Sequence, residues 1–307
     1  MKIAIVKLSS LGDIVHSMVV LQFIKKHYPE SVIDWVVEKR FKGILENNPH
    51  INQIHTVNLN KVKRDKSLKL LFAEVSKVRK FGQYDVVIDL QGLIKSAIIT
   101  KFISSRKVVG FDKNSIRERV SSYFYDQKVA ISYDKNTIAR YVKLISEALS
   151  IKITNDDIIN KEFYLFSKSE LLIPQTPYIV FVVGSTWQSR NYPKEKFTQV
   201  AQAIKKSCIV IWGNEKEKEK AEWMSSESNY IQVMPKLSLD DLKHVIDHAS
   251  LLIGNDTGPS HMSWALNIPS IILFGPTPID RSFQTPINTV LSSNSKINHY
   301  KLDKNDF

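Results

Sequence analysis

At 307 residues and 43% hydrophobic content the chain is too long for one ordinary core and suits two globular domains. No run approaches the roughly 18 apolar residues of a membrane span, and the start MKIAIVKLSSLGDIVHSM is too interrupted by Lys, Ser and Asp for a signal peptide, so a cytoplasmic protein is expected. The net charge of +12 sits wholly in the first half: residues 1–150 hold 26 Lys and Arg against 14 Asp and Glu, and the remainder 17 against 17. A field of that sign favours an anionic partner, whether nucleic acid, acidic lipid or phosphorylated sugar.

In chain order, KIAIVKL reads as a short buried strand and Ile14 to His27 as a helix with apolar residues at helical spacing. VIDWVVE, YDVVIDLQG and RKVVGF follow as further strands. A stretch of mixed character, ITNDDIINKEFYLFSKSELLIPQTP, then ends in Pro-rich sequence, and a domain boundary is placed near Phe163, giving domains 1–162 and 163–307. The pattern restarts with YIVFVVG, a helix from about Pro193 to Lys206 with Pro in its first turn, and CIVIWG, where the single Cys208 reads as a buried structural thiol. A Lys/Glu-rich helix, a helix opening at Ser238, and the strands LLIGND and SIILFGPT complete it. Short strands, apolar throughout, imply a parallel sheet covered on both faces. The fold class is therefore α/β, with two doubly wound domains.

In such sheets ligands bind beyond the carboxyl ends of the strands. The residues there are Ser9 to Asp13, Gln91-Gly92, Gly184-Ser185-Thr186, Gly213-Asn214, Asn255 to His261 and Gly275-Pro276-Thr277. Most are small or hydrogen-bonding, which lets a backbone approach a ligand closely. The Asp256-Thr257-Gly258 turn enters a helix through Leu266, and helix-start amides with the positive dipole end suit phosphate. Thr257 adds a hydroxyl, Gly258 removes a side chain, and Asp256, which repels phosphate, is expected to face sugar hydroxyls. A helix cap explains one of these polar residues but not His261, one turn inside. In GSTWQSRNYP, Ser185, Thr186 and Arg190 suggest a second phosphate contact, the alternative being a plain surface loop. In WGNEKEKEKAEW most charges read as a solvated helix face, although Glu217 could reach a ribose diol.

At the first strand end, Asp13 beside Gly12 lacks the companion glycines of a dinucleotide fingerprint. It reads either as a helix N-cap or as a general base, ionised at neutral pH. His244 and His248 stand four apart, as metal pairs often do, but both point away from the stripe Leu239, Leu242, Ile246 and Ala249 and read as exposed. No metal site is expected. Nor is nucleic acid, since the basic half shows neither aromatic–basic interleaving nor a zinc-finger or helix-turn-helix signature.

The ordered set IVKLSSLGDIVHS, DWVVE, VVIDLQGLIKSA, IWGNEKEKE, MPKLSLDDL, GNDTGPSHM and FGPT resembles the lipopolysaccharide core heptosyltransferases (glycosyltransferase family nine), and DWVVE with QGLIKSA leans towards their type I branch. The resemblance implies a GT-B fold, two Rossmann-like domains facing across a cleft. It also implies metal-independent, inverting transfer of heptose from ADP-heptose to Kdo-lipid A, without a cofactor, by an enzyme peripheral on the cytoplasmic face of the inner membrane. By position, Asp13 matches the catalytic base and Arg190 a residue assisting departure of the diphosphate, with Ser185 and Thr186 beside it. Glu217 falls at the ribose contact, Leu237 at an apolar wall for adenine, and Asp256, Thr257, Gly258 and His261 in the heptose–phosphate loop, with Trp212 and Gly213 also on the donor side. Ser10, Gly12 and Gln91 fall on the acceptor side, where Lys61, Lys63, Arg64, Arg117 and Arg140 resemble the basic residues meeting the acidic acceptor. Arg190 stands where relatives carry Lys, and the chain ends at KINHYKLDKNDF without the terminal helix usual in the family. The rivals are heptosyltransferase II or another GT-B sugar transferase, a silent sugar-nucleotide sensor, and a nucleic-acid-binding protein.

Overall fold

The computed structural model describes residues 1–279 and 282–293; the terminal KINHYKLDKNDF lies outside the described residues. The chain divides into two compact units, Met1–Tyr164 and Leu165–Phe307.

The first unit holds a parallel sheet of β1 (Lys2–Val6), β2 (Val32–Glu38), β3 (Gln53–Val57), β4 (Val86–Asp89), β5 (Val108–Phe111) and β6 (Gln127–Val129), in the order 3-2-1-4-5-6. The second repeats that order with β7 (Ile179–Val182), β8 (Cys208–Ile211), β9 (Ile231–Val233), β10 (Leu251–Asn255), β11 (Ser270–Phe274) and β12 (Asn288–Ser292), arranged 9-8-7-10-11-12. Every pairing in both sheets is parallel. The central strands IAIV, VVID, IVFV and CIVI are buried, as strands covered on both faces must be. Order 3-2-1-4-5-6 is the doubly wound Rossmann topology, and it reverses direction between β1 and β4 and again between β7 and β10. The loops leaving those strands are therefore where each unit is built to bind.

The helix boundaries differ from the sequence reading in two places. The helix expected over Ile14–His27 starts earlier and breaks once, into α1 (Leu11–Met18) and α2 (Val20–His27). It starts early because Ser10, not Asp13, is the N-cap, and Asp13 occupies the third helical position. Pro193 is likewise an N-cap rather than a first-turn residue, ahead of Lys194–Ile204. Cys208 is fully buried, and burial pushes its thiol up to about 11, which keeps it a protonated, inert core residue.

Candidate active site

At the first unit's switch point the β1 loop is held by a chain of side-chain bonds. Buried Asp89, at the end of β4, accepts from the amides of Gln91 (2.8 Å) and Gly92 (3.2 Å) and from the Tyr125 hydroxyl (2.8 Å). Gly92 sits at φ +66, where a Cβ would also strike Ile116, so the turn requires glycine. The turn presents Gln91, whose Oε1 accepts from the amides of Leu8 and Ser9, each at 3.0 Å. Gln91 thus braces the loop after β1 with its carbonyl. Lys95 donates to Ser9 Oγ at 3.1 Å.

That brace delivers Asp13. Its Oδ2 accepts from Ser10 N (3.1 Å) and Ser10 Oγ (2.8 Å). Behind it lies Lys7, a lysine only 3% exposed, which donates to Leu90 O at 3.3 Å and sits over the Tyr141 ring at 4.8 Å. Burial would push the Asp13 carboxyl up, but the Lys7 charge and the two Ser10 bonds outweigh it and hold Asp13 below its ordinary range. Burial also pulls Lys7 down, opposed by Asp13 and Asp89. An ionised carboxylate of this kind is a proton acceptor at neutral pH. Lys7 escaped the sequence reading because the first strand was extended to Leu8, which hid Lys7 inside it.

The predicted acceptor residues do not behave alike. Lys61, Lys63 and Arg64 share one short exposed helix, Leu59–Asp65, and Arg117 is exposed on the loop after β5. Arg140 is a correction. It is 8% exposed, donates to Ser132 O (2.8 Å) and Ser115 O (2.6 Å), and stacks on Phe111 and Tyr133. Its guanidinium ties two loops together.

In the second unit the same switch point gathers Gly184-Ser185 after β7 and Asp256-Thr257 after β10. The helix Gly258–Leu266 opens there with Thr257 at the N-cap, and Thr257's side chain makes no capping bond. Pro259 has no amide, so Gly258 and Ser260 supply the N–H groups of this first turn. Ser185 N donates to Asn191 Oδ1 at 3.0 Å, folding residues 185–191 back on themselves, while Asn255 Oδ1 accepts from Tyr192 N at 2.9 Å. A Cβ on Gly275 would collide with Ser189 O, so the loop after β11 needs glycine to let this loop lie on it.

Asp256 is the second correction. It does not face open space for a sugar, because both its oxygens are in use. Oδ1 meets His261 Nε2 at 3.1 Å, and Oδ2 accepts from Thr277 Oγ1 at 2.9 Å and pairs with Arg190 at 3.2 Å. Burial would raise its carboxyl, but His261, Arg190 and Thr277 bring it down to about 2. Asp256 therefore holds Arg190, whose guanidinium also lies over the Trp187 ring at 4.1 Å. A planar cation fixed on two sides, beside helix-start amides and the hydroxyls of Ser185, Thr186 and Thr257, is an arrangement for a phosphate or diphosphate.

Glu217, singled out from an otherwise solvated helix face, is half-buried. It occupies the third position of the helix Glu215–Glu227 and accepts from Gly213 N and Asn214 Nδ2, each at 2.7 Å, while Asn214 Oδ1 accepts from Glu217 N at 3.1 Å. Its carboxylate lies against Gly184, where a Cβ would overlap it. This places an acid at the ends of β7 and β8, close to the diphosphate arrangement. Trp212 donates to Met234 O at 2.7 Å, and Leu237 is half-buried just before the next helix. His244 is half-buried rather than exposed, its ring 4.5 Å from that of exposed His248. Thr277 and Asn255 carried a strand-end signal in the sequence; Asn191 carried none.

Residues 75–305 match the family described as glycosyltransferase family 9 (heptosyltransferase). Over its full length the chain is 40% identical to lipopolysaccharide heptosyltransferase 1 of Campylobacter coli, covering 94% of that protein. The solved structure of E. coli heptosyltransferase WaaC with ADP aligns with a TM-score of 0.84 at 26% identity, over 95% of this chain and 93% of that one. The structure of the same enzyme with ADP-2-deoxy-2-fluoro heptose aligns with a TM-score of 0.81 at 25% identity, over the same shares of each chain.

Proposed function

The chain belongs to glycosyltransferase family 9, the heptosyltransferase family, with the GT-B fold, and from that membership we propose that it moves heptose from ADP-heptose to the Kdo residue of Kdo-lipid A in the lipopolysaccharide inner core. The observation that carries this reading is the Arg190–Asp256–His261 cluster at the start of the helix Gly258–Leu266. It is a site for a departing diphosphate, in a family whose E. coli member has been solved with ADP.

In the proposed reaction Asp13 takes the proton of the acceptor hydroxyl. The freed oxygen attacks the anomeric carbon from the face opposite ADP, and the bond from that carbon to the diphosphate oxygen breaks. ADP leaves with the electron pair, so the configuration inverts. Arg190, the amides of Gly258 and Ser260, and the hydroxyls of Ser185, Thr186 and Thr257 meet the charge that grows on the diphosphate. Glu217 reaches the ribose, Trp212, Gly213 and Leu237 border the nucleoside, and His261 faces the heptose–phosphate end. Ser10, Gly12, Lys61, Lys63, Arg64 and Arg117 take the acceptor, whose carboxylates and phosphates suit the basic half. Among the described residues no helix is long and apolar enough to cross a membrane, and a lipid acceptor calls for work at the cytoplasmic face of the inner membrane.

The test is mass spectrometry of Kdo-lipid A after incubation with the protein and ADP-heptose. A gain of one heptose is expected. Transfer only to an acceptor already carrying one heptose would replace this acceptor by that of heptosyltransferase II. No transfer, with no effect of ADP on the melting temperature, would overturn the reading.

A further inference from the structure

The excess charge of the first unit is concentrated. Residues 59–80, LNKVKRDKSLKLLFAEVSKVRK, hold eight cations against two acids, a net of +6 within 22 residues and half of the whole chain's +12. They fold as two helices, Leu59–Asp65 and Leu68–Val78, joined at Lys66, which turns the chain through φ +46. Asn58 and Ser67 cap them, accepting from Lys61 N and Leu70 N. The second helix buries only Val78. Leu68 and Phe72 are each 71% exposed and Leu71 37%. These three stand at i, i+3 and i+4, so they form one apolar face of one helix, and that face is turned to solvent. Lys61, Lys63, Arg64, Lys66 and Lys69, all exposed, run up to and beside it. The helix packs next to Ile94–Phe102, which in turn packs on the stretch Arg119–Phe124. There exposed Val120 and Tyr123 again accompany exposed Arg117 and Arg119.

We propose that the helix pair 59–78 docks the protein on an anionic lipid bilayer, with Leu68, Leu71 and Phe72 entering the headgroup–acyl boundary and the surrounding lysines meeting lipid phosphates. Charge selects this occupant. A second copy would bring another +6 patch, and the chain's own residues 294–307, with three lysines and two aspartates, bring no net negative charge. A nucleic-acid backbone would satisfy the lysines but has no place for three adjacent aliphatic and aromatic side chains. A helix with an apolar stripe and a lysine-rich flank is the composition that lies in a membrane interface. The inference deepens the reading of membrane location given above, and rests on it for the membrane concerned.

The experiment is flotation of the full chain with vesicles of phosphatidylethanolamine and phosphatidylglycerol, and with phosphatidylcholine vesicles as the neutral comparison. The protein is expected to float with the anionic vesicles at low salt and to be released by high salt. Leu68→Ser combined with Phe72→Ser should lower the apparent affinity roughly tenfold or more. Lys66→Gln and Lys69→Gln should each lower it about fivefold. The Leu68→Ser/Phe72→Ser protein should still transfer heptose at the wild-type rate to a soluble Kdo acceptor without acyl chains, which shows that it is folded. No flotation of the wild-type chain, or flotation undiminished in the serine variant, would overturn the docking. So would binding of nucleic acid in place of vesicles, or a wild-type dimer that the serine variant dissociates while its vesicle binding stays unchanged. Vesicle binding lost in the serine variant, with no transfer by either protein, would uphold the docking and overturn the transfer reading instead.

Discussion

Replacing Asp256 by Asn keeps the shape of the side chain and an acceptor for Thr277, and removes the charge together with the acceptor that meets His261. That charge is what the structure has been built around. The carboxyl stands at about 2 against its ordinary 3.8, a shift worth roughly 2 kcal/mol. The sign follows from linkage: a carboxyl depressed in the folded state stabilises fully above its unfolded value, and that stability is lost as pH falls towards the folded one. At neutral pH the variant should therefore be less stable by about 2 kcal/mol or somewhat more, because Arg190, with 15% of its side chain exposed, is left without its counter-ion. The gap should close between about pH 4 and pH 2, where the wild-type carboxyl takes up its proton. Urea unfolding followed by tryptophan emission reads this unit well, since four of the five tryptophans, Trp187, Trp212, Trp223 and Trp264, belong to it. Taking wild type minus variant at each pH cancels other depressed carboxyls such as Asp34. A difference that is absent at pH 7, or that does not change down to pH 2, would refute the idea that Asp256 acts as the charged centre of this cluster. The variant should also bind ADP more weakly, because Arg190 is no longer held in place.

Asp13→Asn should reduce transfer by roughly 10²–10⁴ while calorimetry finds ADP affinity changed by no more than about twofold; lost ADP binding would make Asp13 a structural residue. Lys7→Met removes the cation that helps keep Asp13 low. The acid limb of its kcat/KM profile should accordingly move to higher pH than in the wild type, and an unmoved limb would separate the two residues. Gly184→Ala drives a Cβ into the Glu217 carboxylate and should weaken ADP binding about tenfold. In the Glu217→Ala background the same change should add almost nothing, and full additivity would show that the two do not act together.

What the sequence made legible, and what it hid, follows from how each feature is encoded. The central strands announce themselves because a strand buried on both faces must be apolar at every position, as IVFV and CIVI are. The outer strands QIHTV, QKV, IQV and NTVLS went unread because a short, partly exposed strand needs no such run. Binding loops were legible through topology: a Rossmann order makes the residues after each strand the candidates, and Ser185, Asp256 and Thr257 fall at the switch point on that ground alone. The partners of those residues were not. Arg190 and Asp256 are far apart in the chain, and Thr277 lies 21 residues beyond Asp256, so no local pattern says that both oxygens of this aspartate are already bonded within the protein. Charge misleads in the same way. Arg140 reads as a cation meeting the acceptor and Lys7 as one residue of the first strand, yet one closes two carbonyls and the other is enclosed behind Asp13. Leu68 and Phe72 are apolar in type and stand in solvent. In each case the residue type was plain and its environment was not. The environment decides whether a cation binds a ligand, braces a loop or tunes a base, so the Lys7→Met profile asks the question most directly: a charge invisible as a site in the sequence should set the pH at which Asp13 accepts its proton.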